Sequence, residues 1–154
     1  EEALRCVDYY CSGAFWHEEF APIQEVFATL ASFSSYAGEV NLVLKAQGNM
    51  DCELIEILYA PIEQRVSVEA CWGENHDWYS FGTFEEVALE PGDQLGGRAR
   101  ADGFVEVFKN GERVGSADAN DYPFIEDEGH IGINGMLPKD AEPNVWDDFG
   151  GGSL

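Results

Sequence analysis

The sequence predicts an all-β domain built as an antiparallel two-sheet sandwich. Three observations carry this reading. Apolar and polar residues alternate with period two through most of the chain. Turn-forming residues interrupt that alternation about every ten positions, the spacing of short strands in sandwiches. The dipeptide Asn110-Gly111 separates two such runs, and a type I′ hairpin turn needs positive φ at both of its central residues.

Taken in order, Gln24 to Phe33 reads as a strand with Val26, Ala28 and Leu30 on one face. After a break at Ser34, Ser35, Ala37 and Gly38, Glu39 to Ala46 reads as another, grouping Val40, Leu42 and Leu44. Cys52 to Tyr59 and Gln64 to Trp72 flank Ala60-Pro61-Ile62-Glu63 and read as a hairpin. Centred on that turn, Ile55 faces Val68, Ile57 faces Val66, Glu56 faces Ser67 and Cys52 faces Cys71. Opposed Cβ atoms stand ~4.5–5.5 Å apart, close to disulfide reach. The apolar face and the cysteines thus support one register, which predicts a Cys52–Cys71 bond and leaves Cys6–Cys11 as a short local loop. The alternative is four reduced, buried thiols.

Trp78 to Phe84, Glu85 to Leu89, Gln94 to Arg100, Phe104 to Lys109 and Glu112 to Ala117 continue the pattern. In the last hairpin Val107 faces Val114, and both faces carry apolar residues, so the buried side stays open. His130 to Gly135 and Val145 to Phe149 complete one domain over residues 1–149. Gly150-Gly151-Gly152-Ser153 reads as a flexible tail within 150–154.

The 154 residues fit one domain. Thirty acidic residues stand against eight basic ones, a net charge of −22. Nucleic acids and anionic membranes need a basic face, so this balance excludes them as partners and favours cations such as Ca²⁺. No run approaches the ~18 apolar residues of a membrane-spanning helix. The chain opens without Met or a signal-like segment and reads as a processed or trimmed piece. An even cysteine count without zinc-site spacing points to disulfides and an oxidising compartment, hence to a secreted or cell-surface protein.

The C-terminal half points to a family. Gly92-Asp93-Gln94-Leu95-Gly96-Gly97-Arg98-Ala99-Arg100 leads through Ala101-Asp102-Gly103 into Val105-Glu106-Val107-Phe108-Lys109-Asn110-Gly111. Tyr122-Pro123-Phe124 follows, then Gly129-His130-Ile131-Gly132-Ile133, and Trp146-Asp147-Asp148-Phe149 closes the pattern. This resembles the concanavalin A-like lectin/glucanase superfamily, and most of all the laminin-G-like modules of secreted bacterial proteins, over roughly residues 13 to 152. The resemblance implies a jelly-roll sandwich, sugar binding as the common task, and a structural Ca²⁺ near Asp147 and Asp148. Such modules usually begin with a further strand, which here would have to come from Glu1 to Ser12. Either Ala3 to Tyr10 supplies it, or a neighbouring chain fills an open edge.

Few residues read as catalytic. Retaining glycosidases need two carboxyl groups ~5–5.5 Å apart, and no strand pair guarantees this. Ile55 and Leu58 stand where the resembling enzymes carry acids, and His17, His76 and His130 are scattered, so an enzyme is not expected. Asp118 and Asp121 join Asp147 and Asp148 as candidate Ca²⁺ ligands. The stretch Trp72-Gly73-Glu74-Asn75-His76-Asp77-Trp78-Tyr79 mixes rings with hydrogen-bonding groups. Trp78, Tyr79, Asn75, Asp77 and Tyr122 are therefore the candidate sugar-binding residues. Two functions follow. One is a non-catalytic extracellular carbohydrate-binding or adhesion module; the other is a self-associating filament subunit linked by strand exchange or Ca²⁺.

Overall fold

Alternating side chains dictate the architecture. The computed structural model describes residues 4–5, 10–34, 37–48, 52–136 and 144–154. In chain order the strands are β1 (Leu4–Arg5), β2 (Tyr10–Phe15), β3 (Gln24–Ser32), β4 (Glu39–Ala46), β5 (Leu54–Ala60) and β6 (Arg65–Trp72). They continue as β7 (Asp77–Phe84), β8 (Gln94–Ala99), β9 (Phe104–Lys109), β10 (Glu112–Asp118), β11 (His130–Met136) and β12 (Val145–Ser153). The first sheet runs β1-β12-β3-β8-β9-β10 and the second β2-β11-β4-β5-β6-β7, all antiparallel.

The core lies between the sheets. Val26, Ala28, Leu30, Leu95, Val105 and Val107 of the first sheet meet Val40, Leu42, Leu44, Ile55, Ile57 and Val68 of the second. Each fully buried Val, Leu or Ile stabilises by about 1.5–3 kcal/mol relative to exposure. The buried side of the β9–β10 hairpin, open in the sequence, is therefore that of Val105 and Val107.

Four local expectations need correction. In the β5–β6 hairpin Ile57 faces Val68 and Ile55 faces Ala70, a shift of two residues from the turn-centred register. The turn holds Pro61 to Gln64, one residue further on than the sequence suggests. An even shift keeps every side chain on its face, so the apolar pattern tolerates both registers. Cys52 consequently does not oppose Cys71; Leu54 does. Glu53, at φ 57°, turns the chain ahead of β5 and brings Cys52 back to Cys71. The Cys52–Cys71 bond forms across a Cα separation of 4.9 Å. Cys6 lies outside the described residues, and with it the second expected bond.

In the β9–β10 hairpin Asn110 and Gly111 both have positive φ, as the turn requires. A bulge at Val114 then puts Gly115, not Val114, opposite Val107. Residues 85–89 form no strand: they cross between the sheets, where the Val87 N–H donates to the Gln64 carbonyl and the Leu89 N–H to the Tyr59 hydroxyl. The glycine run is not a free tail either. Gly150 to Ser153 pair with β3, and a Cβ on Gly151 would stand 2.1 Å from the Glu25 carbonyl oxygen. Close strand approach explains that glycine. At the other edge of β12, Leu4 and Arg5 of β1 pair with Trp146 and Val145, so this part of the N-terminal segment joins the sheet within the chain.

Candidate functional site

The outer face of the second sheet, turned away from the core, carries chemistry at its centre. Register aligns Asn134, Asn41, Leu58, Ser67 and Thr83 in one row across β11, β4, β5, β6 and β7. The next row is Val43, Glu56, Glu69 and Ser80, and the next Leu54, Cys71 and Trp78. One corner is apolar, where Val43, Ala46 and Leu54 pack with Phe15. The middle is polar, and an indole stands at the β7 edge.

Glu56 is only 3% exposed. Its carboxyl accepts from Asn41 Nδ2 at 3.2 Å and from Asn134 Nδ2. Burial, and then the neighbouring Glu39 and Glu69, push its pKa up to about 8, against the lowering effect of the two amides. Burial also raises Glu39, which accepts from Asn41 Nδ2 at 3.3 Å. Ser67 donates to Glu69 at 2.9 Å. Among the described residues Asn41 Oδ1 is buried without a hydrogen-bond partner. Buried polar atoms are normally paired, so this constellation accepts a cost in stability. Sequence reading missed Asn41, Asn134 and Glu69 and gave Glu56 only a place opposite Ser67. The available signal was one carboxylate inside the otherwise apolar run Leu54-Ile55-Glu56-Ile57-Leu58.

The predicted sugar ligands fall in different places. Trp78 is 48% exposed and lies on this outer face, opposite Cys71. Tyr79, its neighbour on the strand, lies on the other face and is 42% exposed; its ring stacks on Trp72 at 3.8 Å between centroids. Asn75 and Asp77 are exposed at the β6–β7 turn. Tyr122 does not join them. It is 1% exposed, packs edge-on against Trp72, and donates its hydroxyl to the Lys45 carbonyl. Burial holds its pKa above the ordinary phenol value. Lys45 is itself buried and donates to the Pro22 and Asp127 carbonyls; desolvation lowers its pKa to about 8 despite Asp127.

The expected Ca²⁺ ligands also stay apart. Asp118, on β10, accepts from the backbone and side chain of Asn120. Asp147, on β12, accepts from the Asp148 N–H. Three strands separate β10 from β12 in the sheet. Asp121 is exposed in the loop after Asn120. Among the described residues no three His, Cys, Asp or Glu side chains gather closely enough to hold a metal ion. His130 stacks on Phe15, and its Nδ1 meets the Trp16 and Glu18 carbonyls.

Two six-stranded antiparallel sheets in this order define a jelly-roll sandwich. No family model matches the chain, and no curated protein matches it by sequence. Solved structures do match its fold. The carbohydrate-binding module CBM66 from Bacillus subtilis superposes with a TM-score of 0.68 at 14% identity, covering 97% of this chain and 86% of that one. Alginate lyase AlyC3 superposes with a TM-score of 0.63 at 9% identity, covering 97% and 74%. Sheep galectin-11, solved with glycerol, gives 0.57 at 11% identity, covering 94% and 98%. At such identities the likeness is one of fold.

Proposed function

We propose that this domain is a non-catalytic carbohydrate-binding module of an extracellular protein, taking a glycan along the outer face of the second sheet. The observation that carries this reading is the row structure of that face. An exposed indole, Trp78, shares it with Ser80, Glu69 and Asn134, behind which Glu56 and Asn41 lie buried. An aromatic platform beside convergent acceptors and donors is what a pyranose, apolar on one side and rimmed by hydroxyls, requires. The fold shared with a carbohydrate-binding module and a galectin supports it. The Cys52–Cys71 bond fits an oxidising compartment. In the test, a broad glycan panel is screened by calorimetry and the strongest ligand retested on Trp78→Ala. Binding should weaken roughly tenfold or more, the scale of one lost aromatic contact, with an unchanged melting temperature. Flat titrations for the wild type across the panel would remove the proposal.

One observation favours a second reading, a glycan hydrolase. The observed register sets Glu56 directly opposite Glu69. A protonated carboxylic acid beside a second carboxyl is the pairing that glycoside hydrolysis uses. The burial of Glu56 weighs against it, since a general acid must reach the glycosidic oxygen. Release of reducing ends from the bound glycan, abolished in Glu56→Gln, would establish turnover. The filament reading has no comparable support; β1 pairs with β12 at Val145 and Trp146.

A further inference from the structure

The opposite side of the molecule holds a groove that the site above does not use. On the outer face of the first sheet, register sets Gly150, Phe27, Gly96, Phe108 and Arg113 in a row across β12, β3, β8, β9 and β10. Between the two phenylalanines lies a groove of about 220 Å³ whose floor is Gly96. Gln94 stands at one end, Arg98 and Glu25 at the other.

Gly96 is the informative residue. Its neighbour Gly97 points into the core, where a Cβ would stand 2.5 Å from Ile57 Cγ1, so packing between the sheets demands a glycine there. Nothing of the kind holds at Gly96. Its φ is not positive, and a Cβ would meet Phe108 Cβ at 3.5 Å and the Val26 carbonyl oxygen at 3.6 Å, which are ordinary contacts. Neither backbone conformation nor the fold's packing excludes a side chain at this position. Glycine in a strand interior weakens the strand and often marks close approach by a ligand.

The polar groups at the rim are partly committed. Arg98 donates through Nε and Nη2 to the same oxygen, Glu25 Oε2, at 3.3 and 2.9 Å. Its guanidinium lies 5.1 Å from the centre of the Phe108 ring. Arg98 Nη1, Glu25 Oε1 and the Gln94 side-chain amide carry no hydrogen bond among the described residues. The ion pair is therefore neutral overall yet offers one donor and one acceptor side by side, with an amide that does both across the floor. Vicinal hydroxyls on a ring with apolar C–H faces match this set. A charged ligand would have to displace one partner of the pair.

We propose that the Phe27–Gly96–Phe108 groove is a second saccharide site, taking a single neutral pyranose on the sheet opposite Trp78. The site stands independently of the reading given above for the second sheet. Two sites on opposite faces would let one domain bridge two glycan chains.

The test uses the full chain, labelled for amide NMR and titrated with the methyl glycosides of glucose, galactose and mannose. At least one should shift the Gly96, Gly97 and Phe108 amides in a saturable way, separately from those around Trp78. Gly96→Ala should weaken that binding roughly tenfold or more, since a single methyl in a filled site discriminates on that scale. Trp78→Ala should leave it unchanged. Gln94→Ala, which removes a half-buried hydrogen-bonding group without touching the floor, should weaken it by a smaller factor. No saturable shift at Gly96 with any of the three glycosides, or equal affinity in Gly96→Ala, would overturn the proposal. Loss of the Trp78 response alone would bear on the second sheet and leave this groove standing.

Discussion

Glu56 and Glu106 sit on the outer faces of opposite sheets, 3% and 6% exposed, and the molecule treats them oppositely. Glu106 receives Arg100 Nη1 and Arg113 Nη1, each at 3.1 Å. Although burial alone would raise its pKa, these two arginines hold it below the ordinary glutamate value. Glu56 has two amides and no cation, and its pKa rises to about 8. Burial raises both carboxyls, far more strongly at Glu56, and only Glu106 has counter-charges that outweigh it. The chain has eight basic residues, and Arg98, Arg100 and Arg113 all lie on or beside the outer face of the first sheet. On the second sheet Arg65 acts on Glu39 but no cation acts on Glu56, which is costly for the fold and is the pattern expected of a site.

The largest effect follows from Glu56. Its folded-state pKa lies above the unfolded one, so the folded protein binds the proton more tightly. Stability is therefore greatest below the unfolded value near 4.5, falls as pH rises through the interval up to about 8, and is level beyond it. The total loss is on the order of 5 kcal/mol. Among the described residues, the charged groups acting on Glu56 and Glu39 on this face are, besides these two, Glu69 and Arg65. Glu56→Gln should flatten the decline and stabilise the protein above neutral pH, as urea midpoints from pH 5 to 9 will show. An unchanged slope in the variant would mean that Glu56 is ionised throughout, and the contrast with Glu106 would collapse.

How much of this the sequence disclosed depends on the range of the interaction. The faces of β3 and β4 were legible, because alternation within a strand is local: Val26, Ala28 and Leu30 point inward, as do Val40, Leu42 and Leu44. The β5–β6 partner assignments were not, because alternation survives any even shift. That two-residue error hid Glu69 from Glu56. The bracket around Glu56 also needs Asn134, 78 residues away, which only the β11–β4 pairing brings close. Trp78 was legible as exposed since it follows the polar turn Gly73 to Asp77. Gly96 and Gly97 look alike in the sequence, and only the packing of Ile57 from the other sheet tells them apart.

Rigidity of the second sheet can be separated from its charge. The Cys52–Cys71 bond closes a loop with a sequence separation of 19 beside the apolar corner of the face. Replacing both cysteines with serine should cost about 3 kcal/mol, mainly by freeing the unfolded chain. The pH decline set by Glu56 should survive this change, because neither sulfur contributes to its protonation. Disappearance of the decline in the double variant would show that the face holds its neutral carboxyl only when clamped.

Glu106 should give the smallest effect, of opposite sign. A depressed carboxyl contributes stability that is present above its unfolded pKa and lost as pH falls through its folded one. The side chains of Arg100 and Arg113 are 43% and 59% exposed, so solvent screens both pairs. Glu106→Gln should therefore cost no more than about 1 kcal/mol at neutral pH, and less in high salt. The difference between wild type and variant should shrink as pH falls through the folded-state pKa and the wild-type carboxyl gains its proton. Urea midpoints at low and high salt, taken between pH 3 and 7, measure both trends. A cost that does not shrink on acidification and ignores salt would assign Glu106 a packing role. Charge placement would then account for Glu56 alone.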